Sequence, residues 1–231
     1  MEELIEKRAE LPATQHEFTE KGQVFVPQLL SRDICRLLRD YVEFKMKTDG
    51  LVFDNEPDFI PKSLTLYGDP FTEAILKNLV PVIERITRLK LYPTYSFLRV
   101  YKEGDVLPKH RDRLSGDIGS SICIGYDYDD SEYQWPIFME DAEVTMKPGD
   151  AVVYRGIRNI HWREAFERDW HLQIFMFFVD QTSEYAEDLK FDSRESLGLP
   201  KSAQRLDLRE YEKKHWAARG FESVDRGTFH D

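Results

Sequence analysis

Six histidines occur in this 231-residue chain, and one of them opens the triplet His110-Arg111-Asp112. In extended backbone, residues two apart point the same way, so an imidazole and a carboxylate converge there. A third ligand must come from elsewhere. His161 is placed to supply it, because it follows the turn Pro148-Gly149-Asp150 and the short apolar run Ala151–Tyr154. Two histidines and one carboxylate on one face of an ion leave the opposite positions open, which suits non-haem Fe(II) oxygen chemistry. Imidazole and carboxylate suit zinc or manganese as well, so ligand type leaves the metal undecided. The plainer reading is a surface His–Asp pair beside Arg111 and Arg113, and a packed histidine beside Trp162. Context favours the metal: His110 and Asp112 have strand spacing and lie between two strands, and His161 precedes a long final strand.

The elements that must hold these residues follow from periodicity. Ser31 with Asp33 marks a helix start, followed by Ile34, Leu37, Leu38 and Tyr41 on one face. The charged, proline-containing stretch Lys47–Pro61 reads as a surface loop and a candidate substrate lid. Asp69-Pro70 opens a second helix, with Pro81 inside its apolar pattern, so a kink or two shorter helices are expected. From about residue 91 the period becomes two. In Pro93–Tyr101, Phe97, Arg99 and Tyr101 share one face, and Leu98 and Val100 the other. Further strands are expected at Ser120–Tyr126, Trp135–Met139, Ala142–Lys147, Ala151–Tyr154 and Trp170–Val179, and a last helix at Leu206–Ala218. Short strands separated by turns, without interleaved helices, predict an antiparallel sandwich or jelly roll.

Composition bounds the rest. Hydrophobic residues make up 41% of the chain, enough for a sizeable core. With 43 acidic and 32 basic residues the formal net charge is −11, which disfavours nucleic acid and anionic membranes as partners. Two cysteines, Cys35 and Cys123, exclude a disulfide framework and a Cys-rich zinc module. The charged beginning MEELIEKRAE does not read as a signal peptide, and no apolar run is long enough to span a bilayer, so a cytoplasmic protein is expected. Phosphate loops, a G-x-S-x-G elbow and HExxH are absent from the sequence.

Four segments carry a family resemblance: LRVYKEGDVLPKHRD, SSICIGYDYD, KPGDAVVYRGIRNIHWREAF and WHLQIFMFFVD. Together they resemble the Fe(II)/2-oxoglutarate-dependent dioxygenases, specifically the prolyl 4-hydroxylase-like branch. The resemblance implies a mainly β fold with flanking helices: a double-stranded β-helix, cupin-like, with N-terminal helices packed on it. Within a single domain 1–231, the helical part would span 1–90, the β core 91–182 and a polar extension 183–231. It implies that His110, Asp112 and His161 bind iron, and that 2-oxoglutarate is the cosubstrate and dioxygen the oxidant, with ascorbate as a candidate auxiliary reductant. Oxidative decarboxylation of 2-oxoglutarate to succinate would then be coupled to hydroxylation of an unactivated C–H bond. Asp112 argues against halogenation, since related halogenases lack that carboxylate.

The family usually anchors the distal carboxylate of 2-oxoglutarate with Arg or Lys about ten residues beyond the distal histidine. Here that position is His171, a departure. It would serve as imidazolium or as a neutral donor; Arg163, Arg99 and Arg168 are the alternatives. Guanidinium is the better bidentate partner for a carboxylate. Tyr101 and Tyr126 stand where related enzymes carry tyrosines that contact the cosubstrate, and Ser121 and Cys123 share a pocket-facing strand face. The substrate class stays open between a small molecule and an amino-acid or prolyl group. The rival class is a non-catalytic, metal-binding cupin-like sensor or scaffold, which the altered anchor favours slightly.

Overall fold

In a computed structural model of the protein, residues 11–48, 52–53 and 63–218 are described. Helix α1 (Leu11–Lys21) leads into strand β1 (Gln23–Val26). Ser31 caps α2 (Arg32–Lys47) by accepting a hydrogen bond from the Ile34 amide, and the helix buries Cys35, Leu38 and Val42. Two short strands follow, β2 (Val52–Phe53) and β3 (Leu64–Tyr67). Most of the Lys47–Pro61 lid expectation lies outside the described residues. Asp69 caps α3 (Pro70–Thr87) at the Phe71 amide. This is one helix, not two. Pro81 lies on its exposed side, where water can satisfy the carbonyl that proline leaves without an amide, while Leu79, Ile83 and Ile86 are buried.

The β-rich half comprises β4 (Leu91–Lys102), β5 (Leu107–His110), β6 (Ile118–Tyr126), β7 (Ile137–Met139), β8 (Ala142–Val144), β9 (Ala151–Arg155), β10 (His161–Arg163) and β11 (Trp170–Asp180). A seven-stranded sheet runs β1-β9-β6-β11-β4-β3-β2, and a four-stranded sheet runs β5-β10-β7-β8. All pairings are antiparallel. This is the jelly-roll architecture expected, with β7 and β8 shorter than the sequence pattern suggests.

Alternation gives each face of the large sheet its own partner. Leu98, Val100, Ile122, Ile124, Leu172 and Ile174 pack with α2 and α3 residues such as Leu38, Leu76 and Ile83. The opposite residues, among them Tyr95, Tyr101, Phe175 and Phe177, pack with Leu107, Trp135 and Phe166 between the sheets. Cys123, Val152 and Tyr154 pack with Ile137 and Met139 in the same interior.

Beyond β11 the chain is held against the fold. After α4 (Ala186–Leu189), the turn Phe191-Asp192-Ser193 takes three successive positive φ angles, of 53°, 57° and 59°. The last described helix, α5 (Leu208–Ala218), starts two residues later than expected. Leu208 joins Tyr185 and Leu189 in a cluster with Leu114, Ile157 and Val179.

Candidate metal centre

The β5–β10 ladder sets His110 directly opposite His161. Their rings lie 4.1 Å apart between centroids. Asp112 follows β5, its amide donating to the Gly156 carbonyl at 2.9 Å. Its Oδ1 stands 3.8 Å from His110 Nε2 and 3.7 Å from His161 Nε2. One ligand atom from each of the three residues falls within 4.8 Å of the others.

The tautomers follow from the other ring nitrogens. His110 Nδ1 lies 2.9 Å from the Pro108 carbonyl and His161 Nδ1 lies 3.0 Å from that of Asn159. A carbonyl can only accept, so both Nδ1 atoms carry the proton and both Nε2 lone pairs are turned toward Asp112. Burial, with the neighbouring His161, holds His110 well below the usual histidine range, which favours the neutral ligand form.

Two further residues build the site and carry no signal in the sequence pattern. A Cβ at Gly156 would stand 2.5 Å from Asp112 Oδ2, so only glycine lets the carboxylate lie against this turn. Tyr154 is fully buried, with its ring edge-on to His161 at 4.9 Å. Burial and the hydrogen-bonded Asp112 carboxylate raise its phenol well above the ordinary value. A Cβ at Gly119 would lie 2.5 Å from the Tyr154 ring, so that glycine opens the space the ring occupies.

A cavity of about 610 Å³ opens onto this trio. Arg99 and Tyr101 line it, both from β4. The Arg99 guanidinium lies over the rings of Phe97 and Tyr101, at 5.1 and 5.6 Å. Arg163, on β10 opposite Leu107, is 1% exposed and lies over Trp135 at 4.3 Å. Its Nη1 donates to the Trp135 carbonyl at 2.6 Å, while Nε and Nη2 have no hydrogen-bond partner, and neither has the buried Tyr101 hydroxyl. The vacant Nε–Nη2 edge is the fork that grips a carboxylate side-on.

His171 is placed differently. It is buried, and burial followed by the Arg163 charge pushes it down to about 3, against the opposing hydrogen bond from Gln173. Tyr128 donates to Nδ1 at 3.0 Å, Nε2 donates to Gln173 Oε1 at 2.9 Å, and Gln173 Nε2 donates to Ser121 Oγ at 2.8 Å. The imidazolium expected as one form of the anchor is therefore disfavoured, because burial and the like charge of Arg163 outweigh the Gln173 hydrogen bond. Tyr126 stacks on Tyr128 at 4.2 Å and lies outside the cavity lining. Arg168 is exposed, over Tyr133 at 4.2 Å, and also lies outside it. Cys123 is packed beside Met139, and burial raises its thiol.

No protein-family model matches this chain, and no curated protein matches it by sequence. Solved structures do match. A prolyl-4-hydroxylase from Pseudomonas putida superposes with a TM-score of 0.60 at 15% identity, covering 74% of this chain and 99% of the other. The non-haem α-ketoglutarate-dependent epimerase SnoN of nogalamycin biosynthesis gives 0.62 at 11% identity, over 75% and 84% of the two chains. A prolyl hydroxylase from Trichoplax adhaerens, solved with a hypoxia-inducible-factor peptide fragment, gives 0.58 at 12% identity, over 76% and 94%. The fold is that of the Fe(II)/2-oxoglutarate oxygenases. Prolyl 4-hydroxylases are among the matches, as the sequence resemblance anticipates. Among the described residues no helix is long and apolar enough to cross a membrane.

Proposed function

We propose that this protein is an Fe(II)/2-oxoglutarate-dependent oxygenase that hydroxylates an unactivated C–H bond. The observation that carries the reading is the convergence of His110, Asp112 and His161 at the mouth of a cavity in this fold. The donor set fits ferrous iron: two neutral imidazoles and one carboxylate on one side, with the cavity on the other.

The second support is the unpartnered donor edge of Arg163, which lies outside the cavity lining and packs on Trp135, as does the lining Tyr101, whose hydroxyl is also unpartnered. A buried guanidinium with no acid against that edge lacks the compensation it needs. The distal carboxylate of 2-oxoglutarate supplies it, with Arg99 adding positive charge from β4. His171 then serves as neutral packing that orients Gln173 and Tyr128, and the Arg163 fork takes the role that its position usually plays. When bound, iron and 2-oxoglutarate supply the oxidising chemistry, with dioxygen consumed and succinate and carbon dioxide released. The chain's own part is to hold three ligands in fixed tautomers, to grip the dicarboxylate away from the metal, and to surround the reacting C–H bond with aromatic rings that exclude water.

Equilibrium dialysis with Fe(II), calorimetry with 2-oxoglutarate under anaerobic conditions, and succinate release in air test the proposal in sequence. Metal and cosubstrate binding without any succinate formation, across a broad panel of acceptors, would instead favour a metal-binding sensor.

A further inference from the structure

Three neighbouring strands of the large sheet turn aromatic rings into the cavity. The register sets Tyr67 of β3 opposite Phe97 of β4, and Phe97 opposite Phe175 of β11. Tyr95 and Phe177 lie two residues away along β4 and β11. Tyr67 stacks on Tyr95 at 5.3 Å and Tyr95 on Phe177 at 4.6 Å. Phe177 runs parallel to Phe175 at 6.3 Å, and Phe175 lies 6.4 Å from Phe97. All five line the cavity, and neither the metal ligands nor the dicarboxylate grip uses them.

The rings form a ladder. Tyr95 lies between Tyr67 and Phe177, and Phe177 between Tyr95 and Phe175, with interplanar angles of 26°, 26° and 10°. A ring flanked in this way has its faces covered by its neighbours and shows its rim to the cavity. Aromatic rims carry partial positive charge and aromatic faces partial negative charge, so a row of rims suits the face of a flat aromatic body. The hydroxyls of the ladder are already spent. Tyr67 donates to Asp192, and Tyr95 accepts from Arg113 Nε at 3.2 Å.

The charged groups of the lining are engaged as well. Asp112 belongs to the metal site, and Asp207 Oδ1 accepts from the amides of Arg209 and Glu210, capping α5. Arg111 Nε donates to the Arg158 carbonyl at 2.9 Å, and Arg113 pairs with Asp192 at 2.8 Å. Arg99, Lys201, Arg209 and Glu212 have partners of their own. A charged substrate group would have to break one of these contacts or go without a partner, at a desolvation cost. Asp192 also accepts from Gln204 at 2.7 Å, which ties its turn to the segment that adds Leu206 and Leu208 to the lining. The cavity volume of about 610 Å³ lies within the range of about 300–1,000 Å³ typical of small-molecule sites.

We infer that the substrate is an uncharged small molecule with a flat aromatic body, which lies against the rims of Tyr95 and Phe177 and holds a saturated carbon toward the metal site. This deepens the oxygenase reading and rests on it for the carbon that reacts. The test is calorimetry with 2-naphthol, its saturated counterpart 2-decalol and the anion 2-naphthoate, on protein loaded with Mn(II) and saturating 2-oxoglutarate. Loading is measured first. Its failure counts against the oxygenase reading alone, and the two alcohols are then compared on the metal-free protein. Decalol has the larger apolar surface, so burial of area alone predicts that it binds at least as tightly as naphthol. Naphthol should instead bind at least about 3-fold more tightly, the size of an edge-to-face preference, and more tightly than naphthoate. Phe97→Leu, at the half-buried end of the ladder, keeps apolar bulk and should lower the naphthol–decalol ratio by about 2-fold or more. The comparison of probes on the parent chain decides the matter whether or not that variant folds. Decalol binding as tightly as naphthol, tighter binding of naphthoate or of a proline-containing peptide, an unchanged ratio in folded Phe97→Leu, or no detectable naphthol binding would overturn the inference.

Discussion

Gly156 and Asp112 are in mutual contact through both backbone and side chain. The Asp112 amide donates to the Gly156 carbonyl, and a Cβ at 156 would collide with Asp112 Oδ2 and with the Gly116 carbonyl. The carboxylate of the ligand set is therefore positioned by the absence of an atom. Gly156→Ala should displace it. Overpacking of this kind costs about 1–3 kcal/mol of stability. The metal effect should be larger than the stability effect, with Fe(II) affinity falling at least ~10-fold, the size seen when support around a ligand is disturbed. Equilibrium dialysis paired with a urea unfolding curve separates the two. An alanine variant with native metal affinity would show that Asp112 is not held by this contact.

Arg163 offers a sharper prediction because its geometry distinguishes charge from shape. Nη1 is committed to the Trp135 carbonyl and the Nε–Nη2 edge is vacant. Lysine at this position keeps the charge and loses the fork. Arg163→Lys should weaken 2-oxoglutarate binding by about 10-fold or more, and Arg163→Gln further, with metal affinity unchanged in both. His171→Gln should leave 2-oxoglutarate affinity close to that of the parent. If His171→Gln instead produces the larger loss in calorimetry, the neutral-packing assignment of that histidine fails.

The parts of the site that were legible in the sequence are those written in alternation. Phe97, Arg99 and Tyr101 oppose Leu98 and Val100 along one strand, so the inward set of β4 could be named before any coordinates. The His-x-Asp spacing anticipates the convergence of His110 and Asp112, although Asp112 lies just past the end of β5. Strands β5 and β10 could not be read, because Leu-Pro-Lys-His and His-Trp-Arg are too short to show a period and the first contains proline. They become strands only by pairing with each other and with β7, a tertiary event. Tyr154 ends an apolar run with nothing to mark it. Its role depends on β9 lying beside β6, where Gly119 makes space for the ring. The state of His171 was unreadable for a related reason: a sequence shows a histidine but not the burial and the neighbouring guanidinium that keep it uncharged.

That burial has a pH consequence. The folded-state value of His171 is about 3, whereas in an unfolded chain it protonates near 6.5. Between those values the unfolded state binds more protons, so this contribution is fully present above about pH 6.5 and is lost as pH falls toward 3. From pH 7 to pH 5 the loss is about 2 kcal/mol for this one group. Urea unfolding of metal-free protein at the two pH values should show a fall in stability that is smaller by about that amount in His171→Gln. Equal falls in parent and variant would mean that the ring is not sealed from protons in the native state.

A buried ion pair ties the chain beyond β11 to α3 and β4. Arg194 is 1% exposed and Glu73 likewise; Nη2 donates to Glu73 Oε1 at 2.6 Å and to the Thr94 carbonyl at 3.0 Å, while Nε donates to the Phe191 carbonyl at 2.7 Å. The Gly198 amide also reaches the Glu73 carboxylate. One ion pair thus joins α3, β4 and the Asp192 turn that helps to bound the cavity. Breaking a buried pair from one side leaves an uncompensated charge and costs about 3–5 kcal/mol. Glu73→Gln should therefore destabilise the protein by several kcal/mol in urea unfolding. Replacing both partners with apolar residues of similar size, as in Glu73→Leu with Arg194→Met, should recover much of that loss. The double variant should still bind Fe(II), because the metal ligands lie on other elements. A Glu73→Gln variant as stable as the parent would show that the extension holds its place without the pair.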